Sequence, residues 1–103
     1  MKSIREVNDE IRSKILTNPY PHRVVLTRGV SGLPKNSLFE LLTKVKEYNT
    51  FDKSNDPYLE HDFGSLLFKG IKYFWKFDYF DKNFEFFEEN GFRVLTLMEA
   101  SEY

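Results

Sequence analysis

Cysteine is absent from this chain of 103 residues, which excludes disulfides and thiolate metal centres and suits a reducing compartment. No apolar run approaches the roughly 20 residues of a membrane span. The opening MKSIREVNDEIRSKIL mixes charges of both signs and does not read as a signal peptide. A dominant charge is missing too: 15 Lys and Arg stand against 16 Asp and Glu, for a formal net charge of −1. The simplest electrostatic argument for a nucleic-acid partner therefore falls away. There is no Gly-x-Ser-x-Gly elbow, no His-x-x-x-His spacing and no Lys-Ser/Thr after Gly32 to make a phosphate loop of residues 29–32. Internal repeats and low-complexity tracts are also lacking. The expectation is one cytoplasmic domain over residues 1–103, long enough for one core and too short for two.

Aromatic residues, by contrast, make up 17% of the chain, and each can bury a large area in a small core. They concentrate in residues 55–81, NDPYLEHDFGSLLFKGIKYFWKFDYFD, which read as a β-hairpin turning at Lys69-Gly70. A glycine in the second loop position supplies the positive φ of a type I′ turn. Counting outward sets Phe68 opposite Ile71, Leu66 opposite Tyr73 and Gly64 opposite Trp75 on the expected core face. The other face takes Leu67/Lys72, Ser65/Phe74, Phe63/Lys76 and His61/Asp78. Gly64 leaves room for the single tryptophan to lie across its partner strand. Asp62 would point inward, so the pairing stops or bulges there or the carboxylate has a specific partner.

Residues 3–16 read as an amphipathic helix with a Ser3-x-x-Glu6 capping box, an Ile4/Val7/Ile11/Ile15 stripe and a stop at Asn18-Pro19. Its polar face, with Arg5, Asn8, Asp9, Arg12 and Lys14, is expected in solvent. Residues 23–28 read as a strand buried on both faces or nearly so, and residues 29–32 as a plain turn. A second helix begins between Pro34 and Ser37, with Ser37-x-x-Glu40 as a capping box, and runs to about Tyr48. Residues 49–58 have loop composition. Residues 83–89 are either a short helical turn or a set of exposed anchors. Residues 93–103 are expected to form a C-terminal helix with Val94, Leu95, Leu97 and Met98 inward, a strand through VLTLM being the alternative. The architecture expected is α+β, a small antiparallel sheet built on the central hairpin and covered on one face by two to three helices.

The blocks NDPYLEHDFG, FWKFDYFD and RVLTLMEASEY, with VVLTRGV at residues 24–30, resemble those of a small bacterial family known as a domain of unknown function and met mostly in alphaproteobacteria. The resemblance covers nearly the whole chain. It departs where this sequence has KNFEFFEENGF and family members have a longer, Asp-Pro-rich connection. The resemblance implies no established activity and no cofactor.

One polar constellation is a candidate site: Asp52, Asp56, Glu60, His61, Asp62, Asp78 and Asp81, near the open end of the hairpin. His61, Asp62 and Asp78 are the catalytic candidates, with His61 oriented by Asp78 as general acid or base. Asp56, Glu60, His61 and Asp78 are the metal-ligand candidates, although no metal is favoured. The plainer account is preferred: Asn55-Asp56-Pro57 as turn chemistry, His61/Asp78 as a cross-strand pair and the other carboxylates solvated. Arg28 is placed to clamp an anionic group, or to pair with a carboxylate. Phe63, Phe74, Phe84, Phe86 and Phe87, with Arg28, are the candidate binding residues for a protein partner. Arg23, Lys35, Lys44, Lys46, Lys72 and Lys76 with exposed aromatics would serve single-stranded nucleic acid, a reading ranked third because acidic residues are interspersed. The favoured function is non-catalytic binding of another protein, in regulation or in conflict between mobile elements and hosts. A metal-dependent or hydrolase-type enzyme at His61 is the rival, and nothing in the sequence sets the oligomeric state.

Overall fold

The computed structural model describes residues 2–103. In chain order its elements are α1 (Ile4–Ser13), β1 (Arg23–Leu26), α2 (Arg28–Ser31), α3 (Lys35–Lys46), β2 (Phe63–Phe68), β3 (Ile71–Phe80), β4 (Phe92–Glu99) and a 3₁₀ turn, Ala100–Glu102. The strands make one sheet in the order β1-β4-β3-β2. This is an α+β fold with the helices' apolar residues gathered on one sheet face.

The hairpin of β2 and β3 has the register that alternation and the turn dictate. Phe68 faces Ile71, Leu66 faces Tyr73, Gly64 faces Trp75 and Phe63 faces Lys76. Both turn residues take positive φ, Lys69 at 51° and Gly70 at 81°, as a type I′ turn demands. The Trp75 indole lies so close over Gly64 that a Cβ there would fall 2.4 Å from Nε1. The indole is wholly buried and its N–H has no hydrogen-bond partner among the described residues. Packing holds the ring instead: the edges of Tyr48 and Phe51, and the Arg12 guanidinium 5.0 Å from the ring centre.

Residues 92–99 are a strand, not the expected helix, and this is the largest correction to the sequence reading. β4 runs between β1 and β3, pairing with both. Arg93, Leu95 and Leu97 point to the helix side and Val94, Thr96 and Met98 to the other, so the apolar residues serve a period of two as well as they would a period near 3.6. The sheet is consequently mixed rather than antiparallel, because β1 runs parallel to β4. β1 is an edge strand with exposed and half-buried residues alternating, so it is not buried on both faces. It ends at Leu26, and Arg28–Ser31 form a single helical turn where a plain turn was expected.

The helices differ from expectation at their ends. α1 has the capping box: Glu6 N–H donates to Ser3 Oγ and Ser3 N–H to Glu6 Oε1. It closes at Ser13, a residue range shorter than the 3–16 expected. α3 has Pro34 at its N-cap and no capping side chain. Ser37 instead accepts a hydrogen bond from Lys69 Nζ, tying helix to hairpin turn. On the sheet's helix side Tyr73, Trp75, Phe77, Leu95 and Leu97 pack with Ile11, Ile15, Val30, Leu41 and Val45 to form the core. Among the described residues no α-helix covers the other side of the sheet, where the 3₁₀ turn and Tyr103 approach β3.

Candidate functional site

Of the carboxylates expected around His61, Asp56 meets it and Glu60 and Asp62 lie beside it, whereas Asp52, Asp78 and Asp81 have partners elsewhere. The ladder of the hairpin ends at Phe63↔Lys76, with one further bond from Phe77 N–H to the Asp62 carbonyl. Beyond it Leu59 and His61 take positive φ, 56° and 52°, which turns the chain off the sheet. His61 therefore does not pair with Asp78, which forms an ion pair with Lys76. Its partners are Asp9 on α1 and Asp56 in the preceding loop. Nδ1 is 2.9 Å from Asp9 Oδ1, and Nε2 is 3.4 Å from Asp56 Oδ2. Phe51 stacks flat on the imidazole at 3.8 Å.

Asp56 is almost wholly buried, at 2% exposure. Its Oδ1 accepts the N–H groups of Glu60 and His61, so it caps the turn as well as facing the ring. Asp9 also meets Arg12, whose guanidinium donates to the carbonyls of Val45, Lys46 and Tyr48 at the end of α3. Asp9, Arg12, Phe51, Asp56 and His61 thus lock α1, α3 and the loop onto the sheet. Asp9 holds His61 Nδ1, while Nε2 faces Asp56 Oδ2, a buried oxygen with no hydrogen-bond partner among the described residues. Among the described residues no group of three or more His, Asp or Glu is arranged to hold a metal ion.

Of the other candidates, Glu60 and Asp62 lie beside this lock and Asp52 stays in its own loop. Asp52 accepts from Ser54 and Asn55, which holds its carboxyl below the usual range. Asp81 accepts the N–H groups of Asn83 and Glu85 in the β3–β4 loop. Arg28 is exposed and forms no ion pair among the described residues.

Sequence reasoning missed a second buried network. Asn8 and Arg12 were expected in solvent, yet both are buried. Asn8 Nδ2 donates to the Glu60 carbonyl and to Tyr79 Oη, and the Tyr79 hydroxyl reaches Asp62 Oδ2 at 3.4 Å. Arg93 Nε donates to Asn8 Oδ1. Burial pushes the Tyr79 hydroxyl up to about 12, and burial followed by the charge of Asp56 raises the Asp62 carboxyl. His22 Nδ1 accepts the Arg93 N–H, and burial lowers its pKa. The spacing of Asn8 and Arg12 with Ile11 and Ile15, three and four residues apart, was the available signal for their burial.

The aromatic candidates divide into two places. On the open sheet face Phe63 and Phe74 lie 5.3 Å apart and only half-buried, with Lys72 near Phe74 and Leu67 exposed. The chain covers the ends of this face itself. Phe84 packs against Phe80 and Phe92 at one end, and Tyr103 meets Phe74 edge-on at the other. Between them a shallow hollow of about 340 Å³ is lined by Thr27, Lys76, Thr96, Met98, Glu102 and Tyr103. Glu102 fixes that tail by accepting from the Thr27 hydroxyl and the Gly29 and Glu99 N–H groups, which hold its carboxyl low. Phe86 and Phe87 lie apart in the β3–β4 loop and are exposed.

Residues 26–102 match the family model described as a protein of unknown function (DUF3768). No curated protein and no solved structure matches the chain.

Proposed function

The chain belongs to the DUF3768 family, and from that premise we propose that it is a non-catalytic bacterial protein that acts in the cytoplasm by binding another protein through the open face of its sheet. One observation carries the reading. A face with Phe63, Phe74, Phe80, Phe92 and Val94 only half-buried, and Leu67 and Val25 exposed, has no α-helix over it among the described residues. Aromatic side chains are the usual anchors of protein interfaces, and apolar patches of this kind mark them. The His61 cluster supports the same reading from the other side, since Asp9 on α1 holds Nδ1 and Phe51 covers the ring, which braces the fold. Among the described residues no helix is long and apolar enough to cross a membrane.

The test is affinity capture from the native host, comparing wild type with a Phe63→Ala, Phe74→Ala variant and with Phe39→Ala, which alters an exposed ring on α3. The expected outcome is a partner retained by wild type and Phe39→Ala and lost by the sheet-face variant. Capture indifferent to Phe63 and Phe74 overturns the reading. So does a single-stranded oligonucleotide that binds the same face through Arg23, Lys72 and Lys76, which would make it a nucleic-acid platform.

A further inference from the structure

The loop between β3 and β4 holds two phenylalanines in water, Phe86 at 69% exposure and Phe87 at 74%. Phe84 in the same loop is packed, so exposure is not general to the segment. Carboxylates flank the exposed pair along the chain: Glu85, Glu88 and Glu89 are exposed in the loop, against the single cation Lys82. Asp62, at the start of the hairpin, joins them through Tyr79. Phe87 meets Tyr79 edge-on at 6.3 Å, and Tyr79 reaches Asp62. Burial, followed by the charges of Asp62 and Glu89, raises the Glu60 carboxyl. None of these five carboxylates forms an ion pair among the described residues.

An excess of carboxylates at one corner favours a cationic partner. The carboxylates do not converge as metal ligands do, so a spread-out cation fits better than an ion. Guanidinium groups of a polypeptide suit both parts of the surface: they stack on aromatic faces and bond carboxylates in pairs. The loop already carries one such contact, with the Arg23 guanidinium 3.7 Å over the Phe84 ring. We propose that this acidic, aromatic corner docks an arginine-bearing basic segment of a partner protein, seated on Phe86 and Phe87 and paired with the flanking carboxylates. The surface is separate from the open sheet face and stands or falls independently of it.

The test is a titration of the full, ¹⁵N-labelled chain with a synthetic peptide of alternating Arg and Leu, and with the same peptide carrying Glu for Arg. The Arg peptide is expected to shift amides in residues 58–62 and 82–91, with affinity falling severalfold as salt rises. The Glu peptide is expected to shift none. Phe86→Ser with Phe87→Ser weakens binding about tenfold, and both positions are exposed, so an unchanged Trp75 indole resonance confirms the fold. Glu85→Lys with Glu88→Lys keeps both rings and transfers preference to the Glu peptide. Phe74→Ser leaves binding unchanged. Shifts absent at millimolar peptide, shifts spread to Glu40 and Glu47 on α3, or affinity indifferent to Phe86 and Phe87 overturn the proposal. Loss of binding in Phe74→Ser also overturns it, by placing the contact on the sheet face.

Discussion

Asp62 is the residue whose chemistry conflicts most with its position. It sits where the hairpin ladder gives out, accepts a long hydrogen bond from Tyr79 and has a pKa raised by burial, then by Asp56. A carboxyl raised in the folded state binds its proton more tightly there than in the unfolded chain. Its stabilising contribution is full below the unfolded value of 3.8 and is lost as pH rises through the folded one. Above the folded value the ionised group is a liability, so Asp62→Asn, which keeps an acceptor for Tyr79, raises the melting temperature there. The gain shrinks as pH falls and is absent below 3.8, and thermal melts across that range check it. The inward placement of Asp62 is legible from alternation alone. The partners of His61 are not, because Asp9 lies 52 residues away and reaches it only once α1 has packed.

At the scale of elements, the hairpin was the most readable part because three independent signals agreed: period-two aromatics, a Gly in the second turn position and a Gly opposite the tryptophan. That last pairing has a measurable consequence. Gly64→Ala forces a Cβ to within 2.4 Å of the Trp75 indole, and overpacking of this kind costs about 2 kcal/mol. Urea unfolding of the variant checks it, with Ser65→Ala on the opposite face as the near-neutral control. β4 was misread for a physical reason. Val94, Leu95, Leu97 and Met98 fit either period, and what decides for a strand is tertiary: the hairpin's β3 and the lone β1 both need a neighbour, and only this segment supplies one. The two-sided burial expected for β1 failed similarly, since three consecutive aliphatic residues say nothing of which strand ends up at an edge.

For the whole molecule, the two faces of the sheet have different duties. The helix side carries the core, with the Asp9–His61–Asp56 brace and the Asn8–Tyr79–Arg93 network holding α1 and the loops in place. The open side carries half-buried aromatics with little over them, which is why it is the proposed docking face. The sequence had both sets of residues on opposite faces of the hairpin. It could not reveal that helices would come to one side only, because that depends on how α1 and α3 pack rather than on the strands. Residues 1–90 alone should show hairpin but no native sheet by circular dichroism. Adding a peptide of residues 91–103 should restore the wild-type spectrum, and a native spectrum without the peptide would refute the claim.

The place of β4 bears on how the chain comes to be folded at all. A ribosome delivers this strand after β1, β2 and β3, yet it must enter between two strands that have been waiting apart. Until it does, β1 has no strand to pair with and the hairpin keeps a bare edge, the kind of edge that recruits strangers. Contacts between β1 and β4 close a loop of some 70 residues, so joining them is slow in a way that the hairpin's own closure is not. A half-built form without β4 is therefore expected to be unstable. Any truncation or nick that removes the last strand leaves two fragments of a sheet, rather than a smaller protein.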